Sequence, residues 1–201
     1  PVERNLRRQI LEVLHAADPG LSQPDMEKVL NQLAYDVHAG TQDGEVEIDR
    51  SVLEGYFARL LPCALSDGKG KARAAELATN IVNFIGQRTG LLVDIEDGQR
   101  FRFTHYTFQE YLAARWIAAG DHKSRLQKMK TRVDDVHWRE AIFLALGCLV
   151  SEVNKAYDDA ILLVESFLRH DPANEHDRQR LLLLAEAFVR QCTPDKLRRA
   201  V

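Results

Sequence analysis

A single hairpin pattern in an otherwise helical sequence is the feature that most limits the fold of this chain. Residues 91–103 are LLVDIEDGQRFRF, in which two apolar-rich runs, Leu91–Ile95 and Phe101–Phe103, flank the pair Asp97-Gly98. An Asp-Gly pair between such runs is a strong local signal for a tight β turn. The sequence therefore predicts one β hairpin within a helical protein.

Helical periodicity dominates the residues before the hairpin. Apolar stripes at helical spacing predict four helices, which lie around Leu6–Leu14, Ser22–Gly40, Asp49–Leu60 and Lys71–Arg88. A short alternating strand around Val46 and Ile48 separates the second from the third, and Ser66–Lys71 has the composition of a turn-rich loop. The order helix, helix, strand, helix, helix, hairpin is typical of a winged helix, a helix-turn-helix variant with a β wing.

Helical patterns continue after the hairpin to the end of the chain. Thr107 and Glu110 form a T-x-x-E capping box, which predicts a helix beginning at Thr107. Later apolar stripes predict further helices joined by short loops, as in an antiparallel bundle or the start of an α-solenoid. We therefore predict a mainly α protein with a winged-helix domain over residues 1–119 and an α-helical region over residues 120–201.

Composition argues against several classes of function. Residues 1–119 carry 13 lysines and arginines against 17 aspartates and glutamates, so the predicted winged helix lacks the basic excess of a nucleic-acid binder. No apolar run approaches the roughly 20 residues of a membrane-spanning helix. The three cysteines are widely spaced, as is typical of reduced thiols in the cytoplasm. The chain begins PVERN, without Met or a signal-peptide pattern, so we expect it to be part of a longer cytoplasmic polypeptide.

Motifs for catalysis are missing from the sequence. The glycines and lysines near Gly70 suggest a phosphate loop, but that motif requires Ser or Thr after G-K, and Ala72 follows Lys71. The histidines lack H-E-x-x-H spacing, and no other nucleophile or metal-ligand pattern is present. We therefore predict no catalytic residue, no metal site and no cofactor in the chain itself, and no enzyme activity.

Residues 103–114 resemble a known motif. They are FTHYTFQEYLAA, and they resemble the end of the winged-helix domain of NACHT-type STAND NTPases, which include NOD-like receptors and many bacterial defence proteins. RTGLLVD at residues 88–94 and HWREAIFLALG at residues 137–147 resemble neighbouring family segments. Besides a histidine discussed next, the motif residues that we interpret as structural are Phe103, Phe108, Gln109, Glu110, Tyr111 and Trp138.

The resemblance implies a role for His105 in nucleotide sensing. In the family, the winged helix folds over an upstream ATPase core of the same chain, which binds ADP or ATP with Mg²⁺. The histidine of the motif contacts the β-phosphate of ADP in the resting state. Nucleotide exchange releases the contact, the arm rotates and the protein forms homo-oligomers. The chain is then expected to act as a regulatory arm that links the ATPase core to a sensor region in signal transduction.

Three alternatives stay open at this point. From the residues alone, His105 is a buried or partly buried histidine that bonds a neighbouring carbonyl. A winged helix can also read DNA, with cations and amides on the recognition helix and the wing: Lys71, Arg73, Asn83, Gln87, Arg88, Arg100 and Arg102. Finally, the C-terminal helices would suit a scaffold that binds a protein partner.

Overall fold

The computed structural model describes residues 8, 22–40, 46–60, 68–86, 90–133, 135–150, 158–160 and 162–163. The chain divides into two compact units, Pro1–Leu112 and Ala113–Val201. This division falls inside a helix, Tyr106–Ala118, so the domain boundary that we predict after residue 119 stays a prediction.

The first unit is a winged helix, as predicted. Its elements in chain order are α1 (Gln23–Ala39), β1 (Ile48–Asp49), α2 (Arg50–Leu60), α3 (Gly68–Phe84), β2 (Leu92–Asp94), β3 (Arg100–Phe103) and the first half of α4 (Tyr106–Ala118). The three strands form an antiparallel sheet in the order β1-β3-β2. Among the described residues the protein is mainly α, which confirms the predicted fold class. The helix predicted around Leu6–Leu14 lies outside the described residues, apart from Arg8.

Helix α1 begins and ends where its sequence predicts. Ser22 is the N-cap, and its hydroxyl oxygen accepts a hydrogen bond from the backbone N–H of Asp25 at 3.3 Å. Pro24 occupies the first turn, where the lack of an N–H costs nothing. At the other end the N–H of Gly40 donates to the carbonyl oxygens of Asp36 and Val37. These local bonds define both ends of α1.

The predicted wing hairpin is also confirmed. Asp97 has φ of 43° and Gly98 has φ of 79°, a left-handed pair that closes the turn between β2 and β3. The Asp94 carboxylate accepts a hydrogen bond from the Gly98 N–H at 2.8 Å and stabilises this turn. Phe103 lies opposite Leu92, which sets the register of the wing.

One apolar core unites the helices and the sheet of the first unit. Its buried members are Met26, Val29, Leu30, Leu33, Ala34, Ile48, Leu53, Phe57, Leu77, Ala78, Ile81, Val82, Ile85, Leu91, Leu92, Phe101, Phe103 and Leu112. Leu112 brings α4 into the same core as α1, so the helix that follows the wing is packed on the winged helix rather than leaving it.

Helix α3 begins earlier than its sequence predicts. The residues Ser66–Lys71 were expected to form a loop, yet α3 starts at Gly68. Glycine and Asp-Gly pairs usually mark turns because glycine lowers helix propensity by about 1 kcal/mol relative to alanine. Gly70 is buried, which indicates that packing of this helical turn outweighs the intrinsic preference.

The second unit continues from α4 into α5 (His122–Lys130), a 3₁₀ turn (Val136–Trp138) and α6 (Arg139–Leu149). Asp121 caps α5, and its carboxylate accepts a hydrogen bond from the Ser124 N–H at 2.8 Å. The helices predicted beyond residue 150 lie outside the described residues, apart from short stretches at 158–160 and 162–163, and so does the choice between bundle and solenoid. Among the described helices, none has the length and apolar character needed to cross a membrane.

Cations from α5 cover the C-terminal end of α4. Lys128 Nζ donates to the carbonyl oxygens of Trp116 and Ala119 at 2.6 and 2.9 Å, and Arg125 Nε donates to that of Ala118 at 2.8 Å. Burial lowers the pKa of Lys128, and the charge of Arg125 lowers it further. Carbonyls in the last turn of a helix have no partner within the helix, so these bonds satisfy them and complement the helix dipole.

Candidate functional site

His105 lies between β3 and α4, at the surface of the first unit. The residue is exposed, and its ring stacks on that of Phe108 with the ring centroids 5.8 Å apart and the planes 24° from parallel. The interpretation of His105 as a buried or partly buried histidine is therefore wrong. An exposed imidazole that is held against an aromatic ring is available to a ligand.

The backbone of His105 is fixed on both sides. On the N-terminal side, Thr104 Oγ1 donates to the carbonyl oxygen of Gly90 at 2.6 Å, and the Thr104 N–H donates to that of Leu91 at 3.0 Å. On the C-terminal side, the carbonyl oxygen of His105 accepts hydrogen bonds from the N–H groups of Phe108 and Gln109 at 3.0 and 3.4 Å. The end of the wing and the start of α4 thus fix the position of the His105 backbone, from which the side chain extends.

These bonds make His105 the N-cap of α4, so the predicted capping box at Thr107 is wrong. The helix starts at Tyr106, and Thr107 is an exposed residue of its first turn. Glu110 falls in the second turn and is buried, too far along the helix to cap its N-terminus. The N-terminus of an α-helix carries partial positive charge and is a favourable place for an anion. His105 occupies this end of α4.

Gln109 makes a buried contact that its sequence position did not reveal. Its Nε2 lies 3.2 Å from Nδ1 of His38, a residue in the last turn of α1 that is 0% exposed. The ring of His38 also lies against that of Tyr106, with centroids 5.6 Å apart. His38 was not among the predicted site residues, because no local pattern links it to a partner 71 residues away.

The other motif residues lie in β3 and α4 of the first unit, except Trp138, which lies in the second unit. Phe103, Phe108 and Glu110 are buried, and Tyr111 is half-buried and packs against the core of the first unit. Trp138 is buried in the second unit, where the guanidinium of Arg132 lies 4.8 Å from its ring centroid. Their assignment as structural residues of the motif stays a prediction.

A comparison with protein families identifies the family to which this winged helix belongs. Residues 16–117 match the family described as the winged helix-turn-helix domain C-terminal to NACHT, and the match covers half of the chain. The chain belongs to this family. The matched range contains α1, the wing, His105 and most of α4, so the motif resemblance and the fold agree. Neither a search of curated proteins nor a search of solved structures returns a match.

The family indicates which domain accompanies the NACHT-associated winged helix. Such a domain accompanies a NACHT core in the same chain and is an accessory, non-catalytic part of it. Within the described residues, no group of three or more His, Cys, Asp or Glu side chains could hold a metal ion. Among the described residues Cys148 is in no disulfide, whereas Cys63 and Cys192 lie outside them.

The surface that a DNA-binding winged helix would use is only partly basic here. Lys71 and Arg73 are exposed on α3, whereas Gln87 and Arg88 lie outside the described residues and Arg102 is half-buried. Asn83 is already engaged, because its Oδ1 accepts a hydrogen bond from Arg50 Nη2 at 2.6 Å.

Arg100, the exposed cation of the wing, is surrounded by carboxylates. Its guanidinium lies 3.0 Å from Glu47, 3.0 Å from Glu96 and 3.8 Å from Asp49. The hydrogen bond with Glu47 raises the pKa of Arg100, and the charges of Glu96, Glu47 and Asp49 raise it further. A phosphate approaching this part of the wing would meet three negative charges around one positive charge.

Proposed function

We propose that this chain is the regulatory arm of a NACHT-family signal-transduction ATPase, and that His105 holds the ADP-bound resting state. The single observation that carries the proposal is the placement of His105. Its side chain is exposed at the N-terminus of α4, while its carbonyl oxygen accepts two hydrogen bonds from α4 and the neighbouring Thr104 donates two to Gly90 and Leu91. Such a residue can reach a ligand outside the winged helix without reorganising the fold.

The chemistry of imidazole suits a diphosphate. A ring N–H of His105 donates to a phosphate oxygen, and protonation of the ring makes this bond charge-assisted. The partial positive charge at the start of α4 acts on the same anion. A contact present with ADP and absent with ATP favours the resting state by its difference in free energy between the two.

The parent protein is the longer polypeptide to which this regulatory arm belongs. Its upstream NACHT core binds ADP or ATP with Mg²⁺, and nucleotide exchange releases His105 and leads to homo-oligomers. The second unit links the core to a sensor region. We place this protein in the cytoplasm, with a role in defence signalling. The family membership supports the link to a NACHT core, and the exposed position of His105 supports its contact with a ligand.

The test uses the intact parent polypeptide that contains this chain. A hydrogen bond to a charged group contributes about 1.5–3 kcal/mol, which corresponds to roughly a tenfold to hundredfold change in dissociation. We therefore expect His105→Ala to release labelled ADP at least about tenfold faster than the unaltered protein. Thr107→Ala is the matched control, because Thr107 is exposed in the same helical turn. Equal ADP release from the parent and the His105→Ala variant would contradict the proposal.

The carboxylates around Arg100 count against the DNA-binding alternative. Nonspecific DNA affinity arises from cations that replace the counterions of several phosphates. The wing offers Arg100 to solvent only together with Glu47, Glu96 and Asp49. We therefore assign nucleic acid no part in the proposed function.

A further inference from the structure

The contact between His38 and Gln109 joins the end of α1 to the first turns of α4. We propose that His38 is a positioning residue for His105 and acts on it through Gln109 and Tyr106. This inference rests on the proposed function of His105 as the nucleotide contact. It assigns the buried histidine of α1 a part in nucleotide retention, although His38 is too deeply buried to touch nucleotide itself.

The hydrogen bond defines which nitrogen of His38 carries a proton. The side-chain nitrogen of Gln109 can only donate, so Nδ1 of His38 accepts at 3.2 Å. The proton of the neutral ring then lies on Nε2. Both partners are almost fully buried, His38 at 0% and Gln109 at 3% exposure. An amide N–H left without an acceptor in such a place is costly, so this pairing is strongly preferred over a shifted one.

Gln109 connects this buried bond to His105. Its side chain bonds His38, and its backbone N–H donates to the carbonyl oxygen of His105 at 3.4 Å. Tyr106, the residue next to His105, also contacts His38, with the two ring centroids 5.6 Å apart. These two contacts with one histidine constrain the rotation of α4 about its axis and its height against α1. The direction in which His105 leaves the helix follows from these two quantities.

Helix α1 is a suitable reference for this positioning. It is anchored in the core by Met26, Leu30 and Leu33, each of which is fully buried. His38 therefore belongs to an element that does not shift easily. Displacement of a binding group by about 1 Å is enough to weaken a contact that depends on direction, such as a hydrogen bond to phosphate.

Two substitutions of His38 test its hydrogen-bond acceptor and its aromatic ring separately. His38→Phe keeps an aromatic ring against Tyr106 and removes the acceptor for Gln109. His38→Asn offers Oδ1 near the position of Nδ1 and so preserves an acceptor. In the intact parent we expect His38→Phe to release labelled ADP about threefold to tenfold faster, the effect of one lost hydrogen bond. We expect His38→Asn to stay within about twofold of the parent.

A double substitution distinguishes positioning from general destabilisation. If His38 acts through His105, then His38→Phe adds no further ADP release to a protein that already carries His105→Ala. An equal increase in both backgrounds would overturn the proposal, as would unchanged ADP release in His38→Phe alone. If His38→Phe fails to fold, Gln109→Leu removes the same bond from the other partner and is judged by the same comparison.

A spectroscopic readout separates this inference from the proposed function. In the 201-residue chain with isotope-labelled histidine, His38→Phe is expected to shift the ring resonances of His105, whereas His38→Asn leaves them near their original positions. If His105→Ala leaves ADP release unchanged, the proposed function fails. The resonances of His105 then still decide whether His38 positions it, and unchanged resonances in His38→Phe would overturn the positioning role.

Discussion

Gly86 lies so close to the ring of Phe101 that a Cβ on the glycine would stand 2.4 Å from Phe101 Cε1. Phe101 cannot move aside easily, because it is buried at the centre of the sheet and pairs with residues of both β1 and β2. We expect Gly86→Ala to lower the free energy of unfolding by about 1–3 kcal/mol, as overpacking of a core does. Urea denaturation of the chain measures the change.

Gly55 provides a matched control for that substitution. It lies within α2, is exposed, and has no heavy atom within 4 Å of an added Cβ. Alanine in a helix is more stable than glycine by about 0.5–1 kcal/mol, so Gly55→Ala should raise the free energy of unfolding. A loss of stability in both variants would show that the contact with Phe101 is not the cause.

Replacement of His105 should affect stability little. The residue is exposed and provides the N-cap with its backbone carbonyl, which alanine keeps. We expect His105→Ala to change the free energy of unfolding by less than about 1 kcal/mol. Phe108→Ala, which truncates the buried ring beneath it, should cost about 3 kcal/mol or more in the same thermal or urea assay. Unfolding of the His105→Ala chain would mean that the residue serves the fold.

The raised pKa of Tyr56 predicts that the folded chain loses stability in alkaline solution. Burial and the hydrogen bond that its hydroxyl donates to Asp36 raise the pKa of Tyr56 to about 12, from 10.0 in the absence of the fold. Between these two values the unfolded chain releases the phenol proton first, so the folded state holds more protons and loses stability as the pH rises. The difference in unfolding free energy between the parent chain and Tyr56→Phe should be constant below pH 10 and shrink towards pH 12. A constant difference across this range would contradict the assignment.

Binding of duplex DNA should be weak. Within the described residues of α3 and the wing, Arg100 lies among carboxylates and Asn83 accepts a hydrogen bond from Arg50, while Lys71 and Arg73 are exposed. We expect the chain to bind a labelled duplex no better than an acidic control protein at physiological salt. Sub-micromolar affinity with a steep salt dependence, lost on replacement of Arg73 and Arg88, would establish a DNA-binding domain instead.

Local signals explain which parts of the fold were predictable. Ser22 and Gly40 mark the ends of α1, and Asp97-Gly98 marks the wing turn, because each acts on backbone groups within a few residues of itself. The start of α3 was missed because Gly70 is held by packing that no local rule contains. The sequence therefore predicts elements well where their ends are stabilised by neighbours in the chain.

The candidate site was predictable only in part, for the same reason. His105 stood out because it interrupts the apolar pattern between a strand and a helix, and the motif around it is distinctive. His38 gives no such signal, since a histidine in the last turn of a helix is expected there simply to complement the helix dipole. Its burial against Gln109 depends on the way in which α1 and α4 pack together, and only the fold reveals that.

Helix α4 begins directly after His105 and continues without interruption to the carbonyl groups that Lys128 and Arg125 cover. Its 13 residues give it a length of about 20 Å. A tilt of about 10° around the His105 end therefore carries the other end through about 3 Å, more than the difference between a formed and a broken hydrogen bond. A small change of direction at the N-terminus of α4 therefore becomes a larger displacement at its C-terminus.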